Sequence, residues 1–409
     1  MDLATFRTLL TPGGQQTLLA AEAQAEAGTT DLVALTRLRR AAPPALAAVA
    51  WEQATLRRRA AASGKFARAA SLYFTRDGLE QATGEAIARH RARRYAPYGT
   101  VADLACGIGG DALILAEAHP VLAVDRDPLR LAILRENARA SGLAGRILPV
   151  VADLLAGAPP RADALFCDPG RRDADGRRVF STAGYQPPLA HVLGWRGVVP
   201  ALGVKVSPGI VREEWPAPDE AEIEFISERG ALKEAVLWCG PLRTVARRAT
   251  LLPSGATLAA DGPAPAIAVG PPGAILYEPD AAIIRAGLVE DLAAILGATK
   301  LDADIAYLTA DRAVPTPFAR AFRVIEALPF ALKRLKARLR ALDAGEVTIK
   351  KRGSPLDPDR LARDLRGRGP RPLIVVLTHV AGRPYALICG VVSREGECIA
   401  SVCQLLDSR

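Results

Sequence analysis

Between about residues 97 and 245, short apolar runs alternate with helix-length amphipathic stretches. In order these are V-A-D-L-A-C, a helix near 110 to 118, V-L-A-V-D, a helix from 128 to 140, I-L-P-V-V-A-D, A-L-F-C-D-P and G-V-K-V-S-P. Such alternation predicts the strands of a parallel sheet joined by helical crossovers. Two further runs, E-A-E-I-E-F-I-S-E and E-A-V-L-W-C-G, flank Arg229-Gly230 and predict a closing antiparallel hairpin. Residues 1 to 95 are rich in Ala, Leu, Gln, Glu and Arg, with breaks at Pro12-Gly13-Gly14 and Pro43-Pro44, which predicts a helical N-terminal region. After the sheet, a Pro/Gly-rich stretch from Leu252 to Gly273 reads as a linker with room for one hairpin. A small α/β segment follows, and the last part carries a basic helix near 330 to 342, the strand E-V-T-I-K, a helix near 357 to 366 and strands at 373 to 379 and 385 to 392.

The expected organisation has five parts. A helical region spans 1–95, a Rossmann-like α/β domain 96–248, a linker 249–273, a small α/β domain of possible ferredoxin-like form 274–329, and an α+β domain 330–409.

Composition narrows the class. At 409 residues, 50% of them hydrophobic, the chain can bury more than one core and is not a disordered protein. No apolar run reaches the length of a membrane span, and the Met1-Asp2 start lacks the cationic and apolar regions of a signal peptide, so a cytoplasmic protein is expected. The cysteines at 106, 167, 239, 389, 398 and 403 form no C-x-x-C pair, and no histidine stands at ligand spacing, so reduced thiols and no metal are expected. The net charge of +9 suits a polyanionic partner, and solubility alone accounts for it equally well.

The chemistry concentrates at strand ends. V-A-D-L-A-C-G-I-G-G places Asp103 before a glycine turn, with Ala105 between them. Gly107 and Gly109 let the backbone approach a ligand, and Asp125, closing the next strand, is placed to accept hydrogen bonds from ribose hydroxyls. Charge separates two nucleoside cofactors. A dinucleotide would set its pyrophosphate against Asp103, whereas the ammonium and sulfonium of S-adenosyl-L-methionine make that carboxylate favourable. Asp153 falls on the third consecutive strand end, where it can meet the adenine amine while Leu154 packs the ring.

The fourth strand ends in Asp168-Pro169-Gly170-Arg171-Arg172. Methyl transfer is an in-line displacement that needs an oriented nucleophile, and an acceptor at Asp168, stiffened by Pro169, can turn an exocyclic amine toward the methyl group. Cys167 should point to the opposite face, into the core. Arg171, Arg172, Arg177 and Arg178, with Phe180 and Tyr185 close behind, suit a nucleic-acid substrate held by phosphate and stacked on an aromatic; Asp173 and Asp175 also fit a merely solvated loop. Lys205 stands at a strand end where lysines are commonly only solvated. The runs Arg57 to Arg59 and Arg89 to Arg94 read as exposed helix faces. Lys333, Arg334, Lys336, Arg338 and Arg340, with Lys350, Lys351 and Arg352, point to phosphate contacts.

K-F-A-R-A-A, G-L-E-Q-A-T-G-E, D-L-A-C-G-I-G-G-D-A, D-P-G-R-R, Y-E-P-D-A-A-I-I-R-A-G-L and I-K-K-R-G together resemble the bacterial class I S-adenosylmethionine-dependent methyltransferases with a THUMP-like C-terminal domain. The D-L-x-C-G-x-G-G core is also similar to enzymes that methylate the exocyclic amine of guanine in RNA caps. The resemblance implies a THUMP-like domain over 330–409 and RNA, tRNA or rRNA, as partner. Base-amine enzymes usually follow the motif's proline with an aromatic; Gly170-Arg171-Arg172 stands there instead, so Arg171, Tyr185 or Phe180 replaces the stack or the substrate is not a base amine. Two other readings are an RNA-binding protein whose cofactor fold is not catalytic, and a small-molecule methyltransferase. The oligomeric state is not legible.

Overall fold

The computed structural model describes residues 1–171, 181–217 and 219–391, and the chain divides into two compact units. The first comprises Met1–Glu224 with Glu234–Thr244, and the second Phe225–Lys233 with Val245–Arg409.

The first unit begins with helices α1 (Leu3–Leu9), α2 (Pro12–Glu26), α3 (Asp31–Leu38), α4 (Pro44–Ser63), α5 (Arg76–Gln81) and α6 (Glu85–Ala92). The predicted breaks are helix starts. Thr11 caps α2 by accepting from the Gly14 amide, and Pro12 and Pro44 occupy first-turn positions where no amide donor is needed. The helices bury Phe6, Leu9, Trp51 and Phe74 in one apolar cluster, with Phe6 edge-on to Tyr73 at 5.4 Å. Gln53 clamps the chain after α4, donating to the Phe74 carbonyl at 2.6 Å and accepting from its amide at 3.0 Å.

The sheet follows the predicted alternation. Its elements are β1 (Val101–Leu104), α7 (Gly110–Leu115), β2 (Val121–Asp125), α8 (Pro128–Ala140), β3 (Ile147–Val151), β4 (Ala164–Cys167), α9 (Leu189–Gly194), β5 (Leu202–Val206), β6 (Ala221–Glu228) and β7 (Ala231–Cys239). The strands lie in the order β3-β2-β1-β4-β5-β7-β6. Pairing is parallel from β3 through β5 and antiparallel between β5 and β7. Strand order reverses between β1 and β4, which opens a crevice at their carboxyl ends. This is a Rossmann-like sheet with an antiparallel closing hairpin. The tip of the β6–β7 hairpin, Phe225–Lys233, groups with the second unit.

In the second unit β8 (Arg247–Leu252) and β9 (Ala256–Ala260) form a hairpin, so the stretch expected as linker is partly strand. There follow β10 (Ile275–Pro279), α10 (Ala281–Arg285), α11 (Val289–Leu296), β11 (Thr299–Lys300), β12 (Leu308–Ala310), β13 (Ala319–Pro329), α12 (Leu332–Ala341), β14 (Ala344–Lys351), α13 (Pro358–Leu365), β15 (Arg371–Val380) and β16 (Arg383–Val391). One sheet joins them in the order β11-β12-β10-β13-β16-β15-β14. The division expected at 329 falls at the end of β13, which pairs with β10 on one side and β16 on the other. Leu335 and Leu339 of α12 and Leu361 and Leu365 of α13 pack with Val347, Leu373 and Val375 of the sheet. Among the described residues no helix is long and apolar enough to cross a membrane.

Candidate functional site

The glycine turn after β1 is built by its neighbours. Ala105 takes a left-handed φ of 59°, and Gly107 and Gly109 follow at 56° and 95°. A non-glycine residue held there stores about 1–3 kcal/mol of strain, a pattern common at ligand sites. At Gly107 a Cβ would point into open space, while at Gly109 it would lie 2.1 Å from Leu134 Cδ1. Gly107 thus leaves room for a ligand, and Gly109 lets α8 pack close. Asn137 of α8 fixes the turn from beneath, donating to the carbonyls of Ile108 and Tyr73.

Asp125 is engaged as well as available. One carboxylate oxygen accepts from the Gly107 amide and the other from the Asp127 amide, each at 2.9 Å. These bonds shape the turn and leave lone pairs for ribose hydroxyls. Asp153 lies just past β3, exposed, and accepts from the Leu155 amide; Leu154 beside it is half-buried, with its carbonyl 3.0 Å from His191 Nε2. Asp103, Asp125 and Asp153 thus stand at the ends of three adjacent strands.

Asp103 is 1% exposed, and its Oδ2 is buried with no hydrogen-bond partner. Burial, then Asp111 and Asp168, push its carboxyl well above the ordinary range, against the pull of Arg91. An orphaned buried carboxyl oxygen beside an open glycine turn fits a ligand that brings positive charge.

Around it lies an ion network that the sequence did not reveal. Arg91 of α6 is 2% exposed, stacks over Phe166 at 4.7 Å and bridges Asp111 and Glu234. Burial opposes its charge, and Asp111, Glu234 and Asp168 more than restore it. Burial likewise raises the Glu234 carboxyl, with Arg91 and Lys205 pulling the other way. Lys205 donates to Asp168 Oδ2 at 2.6 Å and to Thr83 Oγ1 at 3.1 Å, and its Nζ lies 4.0 Å from Glu234.

The expectation that Arg89 to Arg94 form an exposed face is corrected here: Arg91 and Arg94 turn inward to buried Glu222 and Glu234, and His90 to Glu224. Lys205 is not merely solvated either. A lysine inside a strand buried along its length has to find a carboxylate, and the fold supplies Asp168.

The loop after β4 differs in part from expectation. Asp168 stands at the crevice with 27% of its side chain exposed, and Gly170 exchanges two backbone hydrogen bonds with Gln186, anchoring the turn at Pro169. Arg171 is half-buried, and its Nη1 has no partner among the described residues. Tyr185 is corrected: at 1% exposure, with its hydroxyl accepting from the Ser207 amide, it is a core residue and offers no stacking face. Arg172, Arg177, Arg178 and Phe180 lie outside the described residues.

In the second unit, Lys350, Lys351 and Arg352 do not form one cationic patch. Lys350 pairs with Glu278 at 2.7 Å, Lys351 donates to the Leu356 carbonyl, and Arg352 lies over the Tyr307 ring. The pairing of Glu278 with Lys350 joins the Y-E-P-D and I-K-K-R-G segments. On α12, Lys333, Arg334 and Arg340 are exposed and Lys336 is half-buried; among the described residues only Arg338 of this helix pairs with a carboxylate, Glu326. Cys106, Cys167, Cys239 and Cys389 are buried free thiols; Cys398 and Cys403 lie outside the described residues, within which no His, Cys, Asp and Glu cluster could hold a metal.

The chain is similar to several known proteins. A family model described as THUMP domain-like matches residues 319–390, and a domain of unknown function matches residues 2–60. An uncharacterized S-adenosylmethionine-dependent methyltransferase of Mycobacterium tuberculosis is 42% identical over 327 residues, covering 78% of this chain and 88% of that protein. A release factor glutamine methyltransferase of Cereibacter sphaeroides is 37% identical over 82 residues, 19% of this chain and 30% of that protein. A crystal structure described as a methyltransferase from Porphyromonas gingivalis W83 superposes with a TM-score of 0.72 at 20% identity, covering 96% of this chain and all of that one.

Proposed function

We propose that this chain, which belongs to the S-adenosylmethionine-dependent methyltransferases, methylates RNA, and that its nucleophile is the exocyclic amine of a base. S-adenosyl-L-methionine supplies an electrophilic methyl group on a sulfonium, and the residues present suit it. Asp103, Ala105, Gly107 and Gly109 would hold its cationic methionine end, Asp125 its ribose, and Asp153 with Leu154 its adenine. Asp168 and Pro169 stand at the next strand end in the order, on the side from which an acceptor would approach. There a carboxylate can accept from the amine and aim its lone pair, which is the contribution positioning makes to a displacement.

The observation that carries the RNA reading is α12, inside the segment that matches the THUMP domain-like model. Lys333, Arg334, Lys336 and Arg340 lie along one helix whose apolar face is packed on the sheet, leaving cations turned away from the core. Arg171, half-buried with a guanidinium nitrogen unpartnered among the described residues, would meet phosphate nearer the reaction centre, and Arg172 is proposed with it; Lys351 and Arg352 would be secondary contacts. The test is mass spectrometry of nucleosides from total RNA of a strain lacking the gene beside its parent. Loss of one N-methylated nucleoside supports the reading, and loss of a ring-carbon or ribose methylation would overturn the amine. An unchanged profile, with no tritium passing from labelled methyl donor into that RNA, would overturn RNA as substrate.

A further inference from the structure

We infer that Lys205 is the residue that positions Asp168 for methyl transfer, acting together with Thr83 and Glu234. The inference rests on the reading that Asp168 meets the nucleophile. Lys205 is the penultimate residue of β5, a strand buried along its whole length, and keeps only 5% of its side chain exposed. A lysine there loses its hydration and must be repaid by partners. It has three: Asp168 Oδ2 at 2.6 Å, Thr83 Oγ1 at 3.1 Å and Glu234 Oε2 at 4.0 Å. Thr83 itself is 6% exposed and comes from G-L-E-Q-A-T-G-E, which runs from within α5 to the first residue of α6, with Thr83 in the turn between the two helices. The ammonium is therefore fixed from two other directions before it reaches Asp168.

A strand-end carboxylate would otherwise rotate freely about its side-chain bonds. Held at one oxygen by a buried cation, Asp168 has a set orientation, and its partly exposed remainder is turned to the crevice. The charged groups surrounding the pair are Arg91 from α6, Asp111 from α7, Asp103 from β1 and Glu234 from β7, and Arg91 is itself bound by Asp111 and Glu234. Among the described residues that leaves Lys205 as the cation bonded to Asp168. In the step it serves, the nucleophile's lone pair forms the bond to the methyl carbon and the methyl–sulfur pair returns to sulfur. The proton the nucleophile sheds passes to the Asp168 carboxylate, and from there to solvent.

The test compares full-length Lys205→Met, Lys205→Arg, Thr83→Val and Asp168→Asn with the parent chain. Acceptor is total RNA from a strain lacking the gene, with tritium-labelled methyl donor; S-adenosylhomocysteine affinity and melting temperature are measured alongside. Lys205→Met should lower kcat about 10- to 100-fold, the size of effect that misplacing a reacting group produces, with the KM for RNA and S-adenosylhomocysteine affinity unchanged. Lys205→Arg should recover most of it, and Thr83→Val should give a smaller loss of the same kind. Independently of any acceptor, ¹³C NMR of labelled aspartate carboxyls, with Asp168 identified by its absence in Asp168→Asn, should show that resonance moved in Lys205→Met and returned toward the parent position in Lys205→Arg. An unmoved resonance, or a slow Asp168→Asn beside a fully active Lys205→Met, overturns the inference alone. A fully active Asp168→Asn overturns the reading of Asp168 and the role of Lys205 with it. If the Lys205 variants do not fold, Thr83→Val decides: parent-like kcat and an unmoved Asp168 resonance count against the inference.

Discussion

At the scale of single residues, the carboxylates differ in what surrounds them, and the differences are measurable. Asp125→Ala removes the acceptor proposed for ribose and also the partner of the Gly107 and Asp127 amides. A charge-assisted bond contributes roughly 1.5–3 kcal/mol, so calorimetry should find S-adenosylhomocysteine affinity about ten- to a hundredfold weaker, together with a lower melting temperature. Asp103 behaves differently. Its carboxyl is raised by burial and by neighbouring Asp111 and Asp168, so the folded chain favours its protonated form. Its contribution to stability is present at low pH and fades as pH rises through the raised value. A cation bound beside it pulls that value back down, so binding should release a proton and tighten as pH rises. Calorimetry in buffers of different ionisation enthalpy reads the proton directly, and Asp103→Asn should abolish its release. That Asp103, Asp125 and Asp153 stand at strand ends was legible because each lies where an apolar run gives way to a turn. Lys205 and Arg91 were not, because their partners Asp168, Glu234 and Asp111 lie far away in sequence and only the folded sheet brings them together.

At the scale of elements, the glycine turn and α12 make opposite demands. Gly109→Ala forces a side chain into a φ of 95° and against Leu134, so α8 must shift away from the turn. A destabilisation of about 1–3 kcal/mol is expected, read as a lowered midpoint in urea denaturation. On α12, replacing Lys333, Arg334, Lys336 and Arg340 by alanine should leave the fold unaltered, since Leu335 and Leu339 carry its packing. RNA affinity should fall, and the slope of its logarithm against log salt should flatten by up to about 0.9 for each phosphate ion pair removed from a duplex, and by less on a single strand. Lys350→Ala should act otherwise, lowering stability by stranding Glu278 while moving the salt slope little. The helices and strands of the first unit were readable from period and punctuation. The inward turn of α6 was not, for R-H-R-A-R-R looks solvated until Glu222, Glu224 and Glu234 are seen on the hairpin it faces.

Over the whole molecule, a parallel sheet with helical crossovers followed from the alternation of apolar runs, whereas the order in which distant strands pair did not follow from composition. Pro/Gly content marked a linker with room for one hairpin, and β8 with β9 forms one there, while the sheet of the second unit runs on across residue 329. Proline and glycine report local turns, and pairing between distant strands is invisible to them. The chain leaves the first unit at Glu224, contributes Phe225–Lys233 to the second, and re-enters at Glu234, the carboxylate that bridges Arg91. The two units are therefore not beads on a string, and no single cut yields a whole catalytic half. A fragment ending at Glu224 would strand a buried guanidinium, and one ending at Thr244 would carry a hairpin tip cut off from the unit with which it groups. Any exchange of the second unit with that of a relative must therefore cut the chain three times, at 224/225, 233/234 and 244/245.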